Sequence, residues 1–370
     1  MSCFAIELVN LRLPDRLLSS KQDPSAASHA LPAVSGVYAV FAEGGAAPHI
    51  SWSINLKRRL TRLFGGKYRD RIDSVQCWLA GSKLEIFLLL YELTRNYYPA
   101  DYRKRLHMRM PWFVALLEND PFPRLDVLNR IPRKTTQVYG PFSSRDLAQR
   151  YEQEVLGLFQ IRRCTDTLAP RPDHPGCIYG EMNQCARPCQ CAVTAAEYAS
   201  ETDRVVEFLA TNGKSPAAVL TSAREKASAE LDFEQAAQIH KRLEKLSAAS
   251  ACRDDVVRRI DEFSGVALTK GVQPLQFRLW PLVQGYWQEP VIFEVSESSE
   301  AKSLDQILRE LLSASLASIR TEGVRAEQLA IFSRWYYSSW RDGHWFPFRT
   351  ATDLNYRKLV REISNLARAC

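Results

Sequence analysis

Five cysteines lie within 28 residues near the middle of the chain, and their spacing suits a metal centre. The thiol of Cys164 is followed by the sequence "CIYGEMNQCARPC" at 177–189, and a last thiol follows at Cys191. Zinc and iron–sulfur clusters both favour sulfur-rich tetrahedral ligation. Zinc ribbons usually offer two close pairs of ligands and this segment has one, but the spacing alone leaves both metals open. The predicted ligands, with 12, 7 and 3 residues between successive members, are Cys164, Cys177, Cys185 and Cys189.

The compartment predicted for these thiols is a reducing one. No apolar run reaches the roughly 18 residues that a membrane span needs, and the first twenty residues do not read as a secretion signal. We therefore expect a cytoplasmic protein without membrane attachment. Its nine cysteines are then reduced, and clustered thiols in such a compartment bind metal more often than they form disulfides.

The positive charge is concentrated in the first part of the chain. Residues 1–150 contain 22 Lys and Arg against 13 Asp and Glu, whereas the rest contain 27 against 29. The excess lies in "NLKRRLTRLFGGKYRDR" (55–71) and "DYRKRLHMR" (101–109), where aromatic residues are interleaved. Such a pattern suits a nucleic-acid backbone, and a solvated helix face is the alternative. The predicted DNA contacts are Lys57, Arg58, Arg59, Arg62 and Lys67.

Periodicity and helix-capping residues predict the elements that position these side chains. After a loop over 19–36, the first domain reads β-β-α-β-α. A helix is predicted after Ser143 or Ser144, and 195–249 is helical, with two helices meeting near Asp232. The tail is predicted to form strands around a turn at Gly285 and then three helices. The listed ranges are strands at 36–41, 49–54 and 74–81, helices at 56–64 and 83–98, and tail helices at 303–319, 326–340 and 354–369.

The cysteine segment resembles that of the UvrC family of bacterial excinucleases. The similarity covers "VYGPFSS" (138–144), "RRCTDTL" (162–168) and the thirteen residues that begin at Cys177. In that family, four cysteines with this rhythm hold a 4Fe–4S cluster, and Cys191 has no counterpart. The resemblance implies a 4Fe–4S cluster on the four predicted ligands, with zinc as the alternative. A bound cluster would cross-link a loop-rich segment that buries little apolar surface.

A second resemblance lies in "REKASAELDFEQAAQIHKRLEKL" (224–246). It is similar to the UVR motif, the helical hairpin through which UvrC and UvrB bind each other. Apolar and small side chains around the turn agree with close helix approach to a partner, and an ordinary hairpin packed on its own chain is the alternative. The resemblance implies a UvrB-like helicase as partner. The predicted contacts are Leu231, Phe233, Glu234, Ala236 and Ala237.

A third resemblance is to the GIY-YIG nuclease domain, through "SGVYAVF" (35–41) and "PHISWSINLKRRLTRLFGG" (48–66). Incision by this fold needs a tyrosine or histidine that positions water, a divalent metal on a carboxylate, and an arginine that stabilises the phosphoryl charge. The resemblance implies that Tyr38, His49 and Arg59 occupy catalytic positions, with His49 in place of a tyrosine. Mg²⁺ or Mn²⁺ is expected only if the site is active.

Three further positions of the nuclease motif are altered. Trp52 replaces the expected lysine, Leu90 the metal-binding glutamate, and Tyr102 the asparagine. We expect Trp52 to fill the emptied pocket, with stacking on an unpaired base as the alternative. Glu85 is the carboxylate that a shifted helix would supply. The loss of the metal carboxylate together with the lysine predicts a site that does not cut DNA.

The sequence therefore predicts an α+β protein of five segments. They are a GIY-YIG-like domain at 30–102, a strand–helix connector at 103–160, a cluster-binding segment at 161–192, a helical region at 195–250 with the UVR motif, and a small α+β domain at 255–370. The family resemblance indicates a protein of nucleotide excision repair that binds DNA and a UvrB-like helicase without cutting. The alternatives are a metal-dependent endonuclease that makes one incision near a lesion, and a redox-responsive interaction module.

Overall fold

The structure is a computed structural model, and it describes residues 14–19, 33–45, 47–67, 69–118, 121–133, 137–295, 303–316, 321 and 323–368. Most of the loop predicted over 19–36, and the last three residues of the helix predicted over 303–319, lie outside these ranges. The chain is of mixed α+β type, with several small antiparallel sheets, as predicted. None of the described helices is long and apolar enough to cross a membrane.

The first segment contains the predicted β-β-α-β-α order, with one additional strand before it and a short helix after it. Asn55 and Ser82 cap the two longer helices as predicted, each accepting a backbone N–H with its side chain. The elements are β1 (Arg16–Ser19), β2 (Gly36–Ala42), β3 (His49–Ser53), α1 (Leu56–Phe64), β4 (Ile72–Leu79), α2 (Lys83–Tyr97) and α3 (Tyr102–Arg105).

The strands of this segment form an antiparallel sheet in the order β1-β4-β2-β3. Successive residues of a strand point to opposite faces. Tyr38 packs in one apolar cluster with residues of α1 such as Leu60. Its neighbours Val37 and Ala39 pack in a second cluster with residues of α2 such as Leu89. The sheet therefore has an α1 face and an α2 face, and each catalytic position can be assigned to one of them.

The middle segment begins with a small sheet and continues into helices. Its strands pair antiparallel in the order β6-β5-β7-β8. Ser144, one of the two predicted caps, accepts the N–H of Leu147. The elements are β5 (Trp112–Leu117), β6 (Arg124–Leu128), β7 (Val138–Phe142), α4 (Arg145–Leu156), α5 (Ile178–Glu181), α6 (Ala195–Thr211), α7 (Lys214–Ala229), α8 (Phe233–Ala251) and β8 (Arg258–Arg259).

The last segment contains a five-stranded antiparallel sheet and three helices, and two of its strands, β9 and β13, are not among the predicted elements. The sheet has the order β11-β10-β9-β13, and β12 pairs with β10. The elements are β9 (Gly265–Lys270), β10 (Gln276–Val283), β11 (Tyr286–Trp287), β12 (Val291–Glu294), α9 (Leu304–Leu316), α10 (Arg325–Tyr336), β13 (Gly343–Pro347) and α11 (Tyr356–Arg368).

The chain divides into two compact units. One comprises Met1–Arg109 together with Ser264–Cys370, and the other comprises Met110–Phe263. The first and last segments of the sequence therefore pack into one body, and the middle segment forms the other.

An ion pair joins the two sequence segments of the first unit. Glu85, in the first turn of α2, accepts a hydrogen bond from Nη1 of Arg278 on β10, and both side chains are buried. Glu85 also accepts the backbone N–H of Gly81 at 3.0 Å. Because a buried charge is costly unless it is paired and hydrogen-bonded, each of these two residues requires the other.

A second buried carboxylate, that of Glu327 on α10, also joins the last segment to the first. Its oxygens accept hydrogen bonds from the hydroxyls of Tyr91 and Tyr102 at 2.6 and 2.7 Å, and from Nε of Arg103. Burial and this carboxylate raise the pKa of Tyr91. The three donors belong to α2 and α3, so Glu327 fixes the last segment against the first at a second point.

Two glycines permit a close backbone approach between the same segments. A Cβ atom at Gly81 would lie 2.2 Å from the carbonyl carbon of Gly271, which is far inside van der Waals contact. Any side chain at position 81 would push the loop before α2 away from the loop after β9. The three features together make the last segment an integral part of the unit that contains the first sheet.

Glu85→Gln is expected to lower the free energy of unfolding by about 3–5 kcal/mol, because it leaves the buried Arg278 charge without its carboxylate. The measurement is urea denaturation followed by circular dichroism. Asp305→Asn, which breaks the exposed pair with Arg309, is the matched control and should leave the midpoint unchanged. Equal midpoints for the two variants would contradict the role assigned to the buried pair.

Candidate functional site

The α1 face of the first sheet holds a tyrosine–arginine pair. Tyr38 is buried in β2, and its hydroxyl oxygen accepts a hydrogen bond of 2.8 Å from Nε of Arg59. The guanidinium carbon of Arg59 lies 5.8 Å from the ring centroid of the tyrosine. Arg59 is exposed and sits on α1 one residue before the buried Leu60. The pair thus presents a cation at the surface that is oriented by a buried phenol.

His49 lies on the same sheet face. It pairs with Val40 across β2 and β3, and Ser51 pairs with Tyr38. Residues opposite each other in an antiparallel pair share a face, so His49 is a diagonal neighbour of Tyr38. Its side chain is exposed. The structure therefore brings the predicted Tyr38, His49 and Arg59 to one face, where a base and a cation are available to a phosphodiester.

The position predicted for the metal carboxylate lies on the other face. Leu90 is partly buried and packs against the cluster that contains Val37 and Ala39. Glu85, the carboxylate that a shifted helix would supply, is committed to Arg278. The chemistry of α2 in this region is therefore that of an apolar core and an internal ion pair.

The expectation that Trp52 fills the emptied pocket stays a prediction. Trp52 pairs with Val37 on the α2 face, whereas Tyr38 lies on the α1 face. Strand alternation turns the two positions apart, and 42% of Trp52 is exposed. Tyr102, which replaces the asparagine, instead donates its hydroxyl hydrogen to Glu327.

The basic side chains of the predicted DNA contact surround α1. The helix buries Leu56, Leu60 and Phe64 and turns its other sides outward. Arg58, Arg59, Arg62 and Lys67 are exposed, and Lys57 is half-buried. Among the described residues, Arg58 and Arg62 form no ion pair, so their charges are available to an anion such as a phosphate.

The cysteine segment contains little regular secondary structure and is held in place by backbone hydrogen bonds. The N–H groups of Gly180 and Glu181 donate to the carbonyl of Cys177, and the N–H of Arg171 donates to the carbonyl of Cys189. Ala186 N–H donates to Gln160 at 2.8 Å. Cys185 and Cys189 are buried, Cys164 is half-buried, and Cys177 and Cys191 are exposed.

Two hydrogen bonds reach the sulfur atoms of this segment. The backbone N–H of Arg187 donates to Sγ of Cys185 at 3.4 Å, and Nη1 of the buried Arg162 lies 3.9 Å from Sγ of Cys164. Donors around a ligating thiolate are a common feature of metal sites. Thiols lose their protons on binding metal, and the guanidinium of Arg162 would offset part of that charge.

The thiols are near enough to affect one another. Burial raises the pKa of Cys185 and of Cys189, and the neighbouring sulfurs of Cys164 and Cys177 add to both shifts. In the part of the chain that the structure describes, no group of three or more His, Cys, Asp or Glu side chains is arranged so that it could hold a metal ion. The four thiols supply the donor type that zinc or an iron–sulfur cluster needs, and the cluster or zinc site stays a prediction.

The predicted partner-binding residues surround the tip of the α7–α8 hairpin. Leu231, in the turn, has a φ of 58° and is 72% exposed, and Phe233 is 66% exposed. Glu234 and Ala237 are exposed as well, and Ala236 is half-buried. Asp232 caps α8 by accepting the N–H of Gln235 at 3.0 Å. The hairpin therefore presents two large apolar side chains to solvent at a defined turn.

Sequence reasoning missed the residues that support these sites. Arg162 bonds the carbonyl oxygens of Phe122 and Asp166 in addition to its sulfur contact. It directly precedes "RC" at 163–164, so its closeness to a predicted ligand was a usable signal. Arg278 and Glu327 have no such signal in the sequence, because their partners lie 193 or more residues away.

Two family models match the middle of the chain. Residues 111–208 match "UvrC/Cho excinuclease, middle domain", and residues 216–249 match the "UvrB/uvrC motif". The resemblance of the cysteine segment and the hairpin to the UvrC family is thereby confirmed. The GIY-YIG assignment of the first segment stays a prediction.

Curated relatives carry the same family name. UvrABC system protein C of Renibacterium salmoninarum is 27% identical over 253 residues, which are 65% of this chain and 36% of the relative. The protein of the same name from Moorella thermoacetica is 26% identical over 246 residues, 61% of this chain and 40% of the relative. The chain thus aligns with well under half the length of these relatives. No solved structure matches it.

Alkylation of individual cysteines separates the predicted ligands from the extra thiol. Cys177 and Cys191 are both exposed, so both should react with iodoacetamide in metal-free protein, whereas in protein isolated anaerobically only Cys191 should react. Burial raises the pKa of Cys77 to about 12, so this thiol stays protonated at pH 8 and should react in neither sample.

Mass spectrometry of peptides reads out each site, and iron, sulfide and zinc contents identify the metal. Equal labelling of Cys177 and Cys191 in protein that contains stoichiometric metal would contradict the ligand set.

Proposed function

We propose that this chain, which carries the UvrC/Cho middle domain and the UvrB/UvrC motif, is an accessory protein of nucleotide excision repair that binds DNA and a UvrB-like helicase without cutting the DNA. The single observation that carries the non-cutting part is Leu90. It replaces the carboxylate that would bind the catalytic metal, and it packs in the apolar cluster of the α2 face. The metal needs a carboxylate to hold it beside the scissile phosphate.

Glu85, the carboxylate in the first turn of α2, does not replace the missing metal ligand. Glu85 is buried and paired with Arg278. Releasing it toward a metal would leave the Arg278 charge buried without its counter-charge. This cost opposes the shifted register that a rescued metal site would require.

DNA binding is supported by the charge on α1. Arg58 and Arg62 are exposed, and Arg59 is oriented by its hydrogen bond to Tyr38. Three cations on one helix surface suit the phosphates of a duplex backbone. The proposed role of Arg59 is therefore to bind a phosphate at the former catalytic face.

A sulfur-ligated metal, which we assign as a 4Fe–4S cluster with zinc as the alternative, belongs to the same proposal. Its ligands are Cys164, Cys177, Cys185 and Cys189. When bound, the metal supplies a cross-link between parts of a loop-rich segment. The N–H of Arg187 and the guanidinium of Arg162 then lie beside sulfur ligands and stabilise their charge.

A metal-dependent nuclease is the second candidate, because Tyr38, His49 and Arg59 are kept on one face. A fluorescent duplex that contains a bulky lesion distinguishes the two, in Mg²⁺ or Mn²⁺, with and without a UvrB-type helicase loaded. We expect binding and no nick. Arg58→Gln should weaken binding and lower the slope of log K against log salt by about 0.9, the loss of one phosphate contact.

The control for this assay is Arg59→Ala. A nick that requires the metal and disappears in Arg59→Ala would overturn the non-cutting assignment and establish the nuclease.

Phe233→Asp is expected to weaken binding of a UvrB-type helicase by more than about 2 kcal/mol, as for an aromatic side chain at the centre of an interface. Val219→Asp is the matched control. Val219 is also 66% exposed, but it lies about 15 Å along α7 from the turn.

Binding measured by calorimetry should respond to the first variant and not to the second. Equal losses, or none, would show that the tip of the hairpin is not the docking site.

A further inference from the structure

The first unit carries a second surface of cations and aromatic rings, away from α1. We call it the cation–aromatic ladder and define it by Lys83 and Phe87 on α2, Arg334 on α10, and Trp340 just after α10. The guanidinium carbon of Arg334 lies 4.3 Å from the Phe87 ring centroid. The Phe87 and Trp340 rings meet edge to face at 5.2 Å. The Lys83 ammonium lies 4.7 Å from the Trp340 ring centroid.

The ladder is formed by residues that are distant in the sequence. Lys83 and Phe87 are four residues apart, so they lie on one side of α2. Asp342 fixes Trp340's loop to that helix, since its carboxylate accepts the backbone N–H of Lys83 at 2.5 Å and the indole N–H of Trp335 at 3.1 Å. The ladder therefore depends on the docking of the last segment onto α2.

No described residue forms an ion pair with the positive charges of this surface. Lys83, Arg334 and the neighbouring Arg109 form no ion pair with any residue that the structure describes, and Asp342 contacts the backbone of Lys83 and not its ammonium. Burial lowers the pKa of Arg334, and the charge of Arg109 lowers it further. Arg109 therefore adds to the positive charge near Arg334, and this charge would attract an anion to the surface.

A further contact between a ring and a cation involves α10, on the side of the helix away from Arg334. Tyr336 stacks on Phe332 at 5.2 Å with an angle of 16° between the rings, and the guanidinium carbon of Arg341 lies 4.8 Å from the Tyr336 centroid. Arg341 is exposed and also forms no ion pair with a described residue. Phe332 is fully buried, so this contact is separate from the ladder.

We propose that the cation–aromatic ladder binds unpaired, single-stranded nucleic acid. Cations that follow a backbone, interleaved with rings on which bases stack, are the two elements of single-strand recognition. Bases in a duplex are already stacked on each other and do not expose their faces to a ring. Lysine and arginine side chains are long enough to exchange their contacts with the rings for contacts with phosphates. This inference rests neither on the nuclease face nor on the hairpin, so it can fail or succeed independently of the proposed function.

Fluorescence anisotropy on the full chain, purified anaerobically, tests the proposal. The probes are a labelled thymidine oligonucleotide of roughly 16 nucleotides and a duplex of the same length. Arg334→Gln and Trp340→Leu should each weaken single-strand binding about tenfold and leave duplex binding unchanged. Arg334→Gln should also lower the single-strand salt slope by about 0.7.

Three controls make the result specific. Trp340→Phe keeps a ring and should retain single-strand binding, and Arg58→Gln on α1 should weaken duplex binding. Polyglutamate reports an acidic protein segment as the alternative occupant. If Trp340→Leu does not fold, single-strand binding is compared in Arg334→Gln and Lys83→Gln instead, and both should weaken it.

Unchanged single-strand binding in both charge variants would overturn the proposal. Equal losses on the two probes would overturn it too, because the surface would then contribute only general charge. Polyglutamate binding that requires Arg334, without single-strand binding, would assign the surface to an acidic protein partner instead.

Discussion

A buried charge is stable only beside an opposite charge, and in this protein that requirement joins the first segment of the chain to the last. Glu85 and Arg278 are both buried and are each other's counter-charge. Glu327 repeats the arrangement with two tyrosine hydroxyls and a guanidinium. Removing either partner leaves a buried charge that costs several kcal/mol. The first sheet, the helix α2 and the last segment are therefore kept as one body by polar contacts as well as by apolar packing.

Because of this constraint, the two faces of the first sheet have different roles. The α2 face stabilises the fold, since Leu90 packs in its apolar cluster and Glu85 pairs with Arg278. The α1 face keeps an exposed histidine and an arginine positioned by a buried tyrosine. A helix that would carry a metal ligand in a nuclease thus carries the attachment point of another segment, and what remains on the α1 face is suited to holding a phosphate.

Much of the fold was predictable because its signals are local. The caps at Asn55, Ser82 and Asp232 lie next to the apolar residues of the helices they begin, and the cysteine spacing and the hairpin are visible within thirty residues each. The short strand β1 carries too few residues for a periodic signal. The face on which Trp52 lies follows from the register of β3 with β2, which the sequence alone does not give. Long-range pairs such as Arg278 with Glu85 leave no pattern in either neighbourhood, so the attachment of the last segment could not be foreseen.

The distance between Glu85 and Arg278 along the chain, 193 residues, has a consequence during biosynthesis. At roughly 5–20 residues per second, about 10 to 40 seconds separate the emergence of α2 from the ribosome and that of β10. Throughout this interval the middle unit is made while Glu85 lacks the guanidinium with which it pairs in the folded protein. The first sheet consequently stays incomplete until β10 has been made, because its contacts with the last segment form only then.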